Sequence, residues 1–217
     1  MSDAAKQCGI VLFPGYTGLD VIGPHEVLAR TSLTCVLIAA TTAPVVSDRG
    51  LRITPDHDFA SAPELDVLVV PGGPGQSPGM DDPALIAFIA ARAARARWVL
   101  GVCTGSLLLA QAGLLHGRPA TTHWLAMEEL GRLGAEPTMQ RTVWSDNVLT
   151  GAGVSSGIDA ALELVARMFG DDEAERVTLA IEYDPQPPFA TGHPSRAKPA
   201  LVDKLKSTSR FHRRREP

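Results

Sequence analysis

Cys103 lies between two glycines, Gly101 and Gly105, after the apolar run Trp98-Val99-Leu100 and before Leu107-Leu108-Leu109-Ala110. A sharp strand-to-helix turn needs small residues two positions either side of its nucleophile, because larger side chains would collide where the backbone folds back. The chemistry this implies is attack by a thiol presented at an elbow. The N-terminus of the following helix supplies N–H groups and a positive dipole end, both of which favour thiolate. The sequence therefore predicts that Cys103 titrates well below the ordinary thiol value of about 8.5 and alkylates ahead of Cys8 and Cys35. A small buried cysteine at a strand end is the alternative. Two glycines, the strand-to-helix change and Ser106 in the first turn favour the reactive thiol.

Asp20 follows the first predicted strand, and the carboxyl ends of parallel strands gather on one edge of a sheet. Asp20 and Cys103 are therefore expected at the same edge. A carboxyl group beside a thiolate in a largely apolar pocket should have a raised pKa and can shuttle protons. The competing reading makes Asp20 the N-cap of a helix beginning near Val21. Thr104 either gives its hydroxyl to a substrate or to Asp20, or packs in the first helical turn. The run Pro71-Gly72-Gly73-Pro74-Gly75 can turn backbone N–H groups toward the site, and those of Gly73 and Thr104 are candidates for holding a substrate near the sulfur. His123 is either the imidazole of a Cys–His pair or a helix cap. Gly72, Gly73, Thr104, His123, Trp124 and Val154 form the candidate substrate-binding set. His25, His57, His116, His193 and His212 show no metal-ligand spacing, so no metal is expected.

The elements that must position these residues alternate. Strands are predicted over Cys8 to Phe13, Thr34 to Ala40 and Leu65 to Val70, and again leading into the elbow. Helices are predicted over Leu19 to Arg30 (with Pro24 in its first turn), Pro83 to Arg97, Thr121 to Gly134, Ser155 to Phe169, Asp171 to Tyr183 and Pro199 to Phe211. Val45 to Phe59 reads as a hairpin or meandering edge. Thr138 to Val148 reads as a hairpin turning through Asp146-Asn147, with Leu149 to Gly153 entering a glycine-rich turn. This alternation predicts a single α/β sandwich, a parallel sheet with helices on both faces.

The chain has 217 residues, 45% of them hydrophobic and 20% charged, enough for one sizeable core. No apolar stretch reaches the roughly 20 residues of a membrane span, and Met1 to Lys6 lack a signal-peptide apolar region. Three cysteines without C-x-x-C spacing argue against a disulfide framework and for a reducing cytoplasm. From Arg196 onward eight basic residues accompany two acidic ones, so a +6 tail follows a −10 body. An acidic body excludes a general nucleic-acid surface. Arg213-Arg214-Arg215 reads as a solvated end, and the tail as dispensable for chemistry.

Three segments together resemble the ThiJ/PfpI superfamily, over about Gly9 to Phe189: Pro71-Gly72-Gly73, Val102-Cys103-Thr104-Gly105-Ser106 and Ala120-Thr121-Thr122-His123-Trp124. The resemblance implies a glutamine-amidotransferase-like, flavodoxin-like three-layer sandwich over residues 7–190. It makes 191–217 a basic C-terminal helix and tail of the same domain. Three features resemble the isonitrile hydratase branch: Asp20 where other branches have Glu, Thr after the cysteine, and Leu179 to Pro185 ahead of a Pro-rich turn. Other branches carry His after the cysteine. Glutamine amidotransferases carry a late His-x-Glu where this chain has His193-Pro194-Ser195, and fused regulators need more than the 34 residues that follow Tyr183. The branch implies a cofactor-independent hydro-lyase that adds water to an isocyanide, giving an N-substituted formamide through a covalent Cys103 thioimidate with Asp20 moving the protons. It also implies a cytoplasmic homodimer acting on a small molecule, with no nucleic-acid or membrane partner. A glyoxalase- or amidase-like activity and a cysteine-oxidation sensor are the alternative readings.

Overall fold

Apolar runs that end in glycine-containing turns become the strands of one sheet in the computed structural model, which describes residues 6–212. The strands are β1 (Gln7–Val11), β2 (Thr34–Ala39), β3 (His57–Asp58), β4 (Val67–Val70), β5 (Trp98–Val102), β6 (Thr142–Ser145) and β7 (Val148–Gly151). Their order is β6-β7-β5-β4-β1-β2-β3. Every pairing is parallel except the β6/β7 hairpin. All four residues of β4 are buried, as a strand covered on both faces must be.

The helices are α1 (Gly18–Leu28), α2 (Gln76–Met80), α3 (Pro83–Ala93), α4 (Gly105–Gln111), α5 (Met127–Arg132), α6 (Ser156–Phe169), α7 (Asp171–Ala180) and α8 (Pro199–Thr208). Seven of the eight, all but α8, fall into two groups. α1 packs on α6 and α6 on α7, while α2 to α5 pack among themselves. Neighbouring residues of β5 show why the groups take opposite faces. A Cβ on Gly101 would strike Leu109 of α4, whereas the Val102 side chain lies against Gly157 of α6. Successive strand residues point to opposite sides, so α4 and α6 flank the sheet. The predicted three-layer α/β sandwich is the observed fold. No described helix is long and apolar enough to cross a membrane.

Several local readings are corrected by tertiary context. Leu149 to Gly151 is not a turn but part of β7, held against β5 in the interior of the sheet. The segment from Val45 to Phe59 divides into a small antiparallel ribbon, Val45–Val46 with Arg52–Ile53, and the edge strand β3. Thr121 to Gly134 breaks into a 3-10 turn at Trp124–Ala126 and the short α5. Pro24 lies in the second turn of α1, not the first, and packs close to Gly157 where α1 meets α6. Helix α2 contains Pro78 and Gly79, so local propensity gives it no signal. The Arg213-Arg214-Arg215 run lies outside the described residues.

Candidate active site

Cys103 joins β5 to α4 with φ +55°, a conformation that residues other than glycine seldom adopt. Its surroundings fix that strained peptide. The Cys103 N–H donates to the Gly151 carbonyl at 2.9 Å. Its carbonyl accepts from the Ser106 and Thr122 hydroxyls, each at 2.9 Å. Gly105 is required because a Cβ there would stand 2.1 Å from the Val70 carbonyl oxygen. At Gly101 a Cβ would stand 2.6 Å from Leu109 Cδ1, so a larger residue there would displace the Leu109 side chain. The paired glycines thus have the steric cause expected of an elbow, and Cys103 is 5% exposed at its apex.

Asp20 is fully buried in the first turn of α1. It is not the N-cap, a position held by Thr17. Instead its Oδ2 accepts from the Gly72 N–H at 2.9 Å, while Oδ1 has no partner of good hydrogen-bond geometry among the described residues. Burial raises the Asp20 pKa to about 7, against the opposing pull of the Gly72 N–H and the Cys103 thiol. The raised carboxyl agrees with the expectation from sequence.

The thiol does not agree. Burial, and then the negative charge of Asp20, push Cys103 well above the ordinary thiol range. The Thr104 N–H at the start of α4 and the Arg210 guanidinium pull it down but do not prevail. The helix end acts as anticipated and is outweighed by desolvation. The resting pair is therefore a thiol beside a carboxyl that titrates near neutrality. Cys35 also departs from expectation. It is half-buried, sits opposite Cys8 in the β1/β2 register, and has its pKa lowered by a hydrogen bond from Cys8.

The Gly72-Gly73 turn meets the elbow backbone to backbone. A Cβ on Gly72 would lie 2.5 Å from the Thr104 nitrogen. The Gly73 N–H donates to Thr104 Oγ1 at 3.0 Å, and that hydroxyl turns back toward the Gly73 carbonyl at 3.3 Å. The Gly73 N–H is consequently engaged inside the protein rather than open to a substrate. The same holds for the Thr104 hydroxyl. Both now read as parts of the clamp that sets Asp20 and Cys103 side by side.

His123, Trp124 and Val154 come together along a cleft of about 570 Å³, which also takes in Leu19, Met139 and His193. His123 caps the 3-10 turn, its Nδ1 accepting from the Leu125 N–H at 3.3 Å, and burial holds its pKa below the usual imidazole value. The capping reading of His123 therefore fits its geometry, and among the described residues no hydrogen bond joins it to Cys103. Thr122, whose hydroxyl holds the Cys103 carbonyl, lines the same cleft and links it to the elbow. Sequence reasoning passed over Thr122, although it directly precedes His123. It also passed over Arg210, whose Nη2 donates to the Gly73 carbonyl at 2.9 Å and to Gln76 Oε1 at 3.0 Å. A tail treated as solvated thus places a cation at the site.

A mostly parallel sheet with a cysteine elbow, and a buried acid supplied from the first helix, defines a class of α/β sandwich proteins. The DJ-1/PfpI family pattern matches residues 6–167, and the chain belongs to that family. It is 45% identical over 203 residues to the isonitrile hydratase of Pseudomonas putida, covering 93% of this chain and 89% of that protein. A crystal structure of a ThiJ/PfpI family protein from Pseudomonas syringae superimposes with a TM-score of 0.91 at 37% identity, covering 96% of this chain and 89% of that one. The glutathione-independent glyoxalase DJR-1.2 of Caenorhabditis elegans is 25% identical over 174 residues, covering 78% of this chain and 93% of its own. The superfamily resemblance read from the elbow, the Gly-Gly turn and the His123 segment is borne out.

Proposed function

We propose that this protein is an isonitrile hydratase, a cofactor-independent hydro-lyase that converts an isocyanide and water to an N-substituted formamide. The observation that carries the reading is the fully buried Asp20, anchored through one oxygen by Gly72 and left with the other unpartnered beside Cys103. Similarity to the Pseudomonas putida isonitrile hydratase over most of both chains supports it.

The chemistry follows from the resting proton count. As Cys103 attacks the terminal isocyanide carbon, its proton passes to the Asp20 carboxylate, so the anion forms only as the C–S bond does. Asp20 then delivers that proton to the same carbon, giving a thioimidate, Cys103–S–CH=N–R. Water adds to the C=N carbon as Asp20 takes one of its protons and passes it to the nitrogen, giving Cys103–S–CH(OH)–NH–R. Asp20 then takes the hydroxyl proton as the C=O forms and the C–S bond breaks, releasing HC(O)–NH–R, and returns that proton to sulfur. A carboxyl with a pKa of about 7 is matched to donate and accept at neutral pH. Residues Gly72, Gly73 and Thr104 hold the pair, and the cleft with His123, Trp124 and Val154 receives the substituent R.

The protein works as a cytoplasmic homodimer in this reading. Leu19 and Ile22 of α1 are 43% and 44% exposed, and Val46 and Leu51 of the adjoining ribbon are 39% and 41% exposed. Exposed apolar residues on and near the helix that carries Asp20 are what a partner subunit would cover.

The test is turnover of an alkyl isocyanide with formamide as the measured product. Asp20→Asn preserves shape but not titration, and is expected to slow hydration at least about a hundredfold. A Cys103 adduct accumulating in that variant, seen by mass spectrometry, would support the order of steps. Near wild-type turnover in Asp20→Asn overturns the mechanism.

A further inference from the structure

We infer that Arg210, carried in by the C-terminal segment after α8, is a positioning residue of the active site: its guanidinium clamps the Gly72-Gly73 turn and brings a positive charge within electrostatic reach of Cys103. As a part of the hydration reaction this rests on the hydratase reading; as a statement about the thiol it does not.

The contacts form one chain of dependence. Arg210 Nη2 donates to the Gly73 carbonyl, and the N–H of that same residue holds the Thr104 hydroxyl. The preceding residue, Gly72, holds Asp20. The second acceptor, Gln76 Oε1, belongs to a side chain only 1% exposed, so the guanidinium is directed by a fixed partner rather than a mobile surface group. Phe211 adds a ring 4.5 Å from the guanidinium carbon. Ser209, which opens the turn, is buried. A carbonyl that accepts from a cation is polarised, and the peptide whose oxygen is pinned cannot rotate its neighbours' N–H groups away from Asp20 and Thr104.

The charge acts on the thiol as well as on the turn. The groups that bear on Cys103 are the Asp20 carboxylate, which resists a second negative charge, and the Arg210 cation, which favours it. Asp48 adds a negative charge felt by Asp20, and Arg210 is also felt by His123. On its other side Arg210 borders a cleft with Asp81, Glu128, Glu129, Arg132 and His212. Glu128 and Glu129 are themselves paired with Arg132, which leaves Arg210 committed to the turn. As Cys103 passes its proton to Asp20, the negative charge developing on sulfur lies beside a neutral acid and within electrostatic reach of Arg210. The cation therefore stabilises the anion at the moment of attack more than it does the resting thiol.

The experiment compares iodoacetamide alkylation of Cys103 in wild type, Arg210→Gln and Arg210→Lys, with peptide mapping so that Cys35 serves as an internal control. Below its pKa a thiol alkylates in proportion to its thiolate fraction, so a tenfold loss of thiolate reads as a tenfold loss of rate. Because Arg210 is partly open to solvent, Arg210→Gln is expected to slow Cys103 by about three- to tenfold at pH 8 while Cys35 is unchanged. Arg210→Lys keeps the charge and is expected to recover most of the rate. An unchanged or faster Cys103 in Arg210→Gln overturns the inference, as does an equal change at Cys35, which would mean general loosening. If Arg210→Gln does not fold, Gln76→Ala frees the guanidinium from one partner and should slow Cys103 in the same direction by less; no slowing there overturns it. Alkylation uses no isocyanide, so a wild type that alkylates as described but hydrates nothing would remove the hydratase reading and leave this one standing.

Discussion

At the scale of single residues, the site is a balance between desolvation and local hydrogen bonds. Asp20 receives one N–H from Gly72 where an exposed carboxylate would have several waters, and its pKa rises from 3.8 to about 7. The unfolded chain ionises Asp20 near pH 4 and the folded chain does not until about 7. Over that window the unfolded state therefore holds fewer protons, and stability falls as pH rises, levelling off above 7. The accumulated penalty is on the order of 4 kcal/mol. Asn at this position keeps an acceptor for Gly72 and cannot ionise. Asp20→Asn should accordingly melt several degrees above wild type at pH 8, with the gap closing toward pH 4.5. Parallel thermal scans at the two pH values check this, and equal melting temperatures at pH 8 would refute the buried charge. A carboxyl kept ionisable in a buried site at a cost to stability is the pattern of a stability–function trade-off.

Thr104 permits a second prediction at this scale. Thr104→Val keeps the shape but leaves the Gly73 N–H without its acceptor. A loss of about 1–3 kcal/mol in denaturant unfolding is expected, with a fall in turnover from a loosened turn. Wild-type stability in that variant would show that the hydroxyl is not part of the clamp.

At the scale of elements, two backbone turns touch. The loop after β4 passes so close to the start of α4 that Gly105 has the Val70 and Pro71 carbonyl oxygens 2.1 and 2.8 Å from where a Cβ would be. Gly105→Ala must push β4 or α4 away and with it the Asp20 and Cys103 pair. The expected cost is about 3 kcal/mol or more, at the upper end for overpacking, together with loss of activity. Gly113→Ala is an instructive control, since nothing lies within 4 Å of a Cβ there and only its positive φ of 85° opposes the change. Urea unfolding of the two variants should rank Gly105→Ala well below Gly113→Ala; the reverse order would refute the close crossing.

At the scale of the whole molecule, the exposed apolar residues Leu19 and Ile22 lie on α1, the element bearing Asp20, and Leu51 approaches Gly18 at its start. A self-complementary contact through these residues would bury them and stiffen α1. Light scattering is expected to give about 46 kDa, twice the 23.0 kDa chain, and Ile22→Glu is expected to give a monomer with reduced turnover. A wild-type mass near 23.0 kDa at micromolar concentration would remove the dimer.

The alternation of apolar runs and helical periods, and the glycines flanking Cys103, determine a parallel α/β sandwich with a cysteine elbow at the sheet's carboxyl edge. Those signals are local: a strand covered on both faces needs an unbroken apolar run, and an elbow needs glycines at fixed offsets. The same edge argument brings Asp20 to the cysteine, because every parallel strand ends there. What the chain could not declare locally was decided by packing. Asp20 is a buried acid rather than a cap because the Gly72 amide arrives from another strand. The Cys103 thiol is raised rather than lowered because burial outweighs a helix end, and sequence shows the helix end but not the depth. Helix α2 forms through Pro78 and Gly79 because it is pinned between the Gly73 turn and α4. Arg210 was legible only as one charge in a basic tail, since its meaning depends on a chain reversal that returns residue 210 to a carbonyl 137 positions earlier. Pattern specifies which segments pair and pack, whereas the titration of a group depends on everything that surrounds it, most of which is distant in sequence.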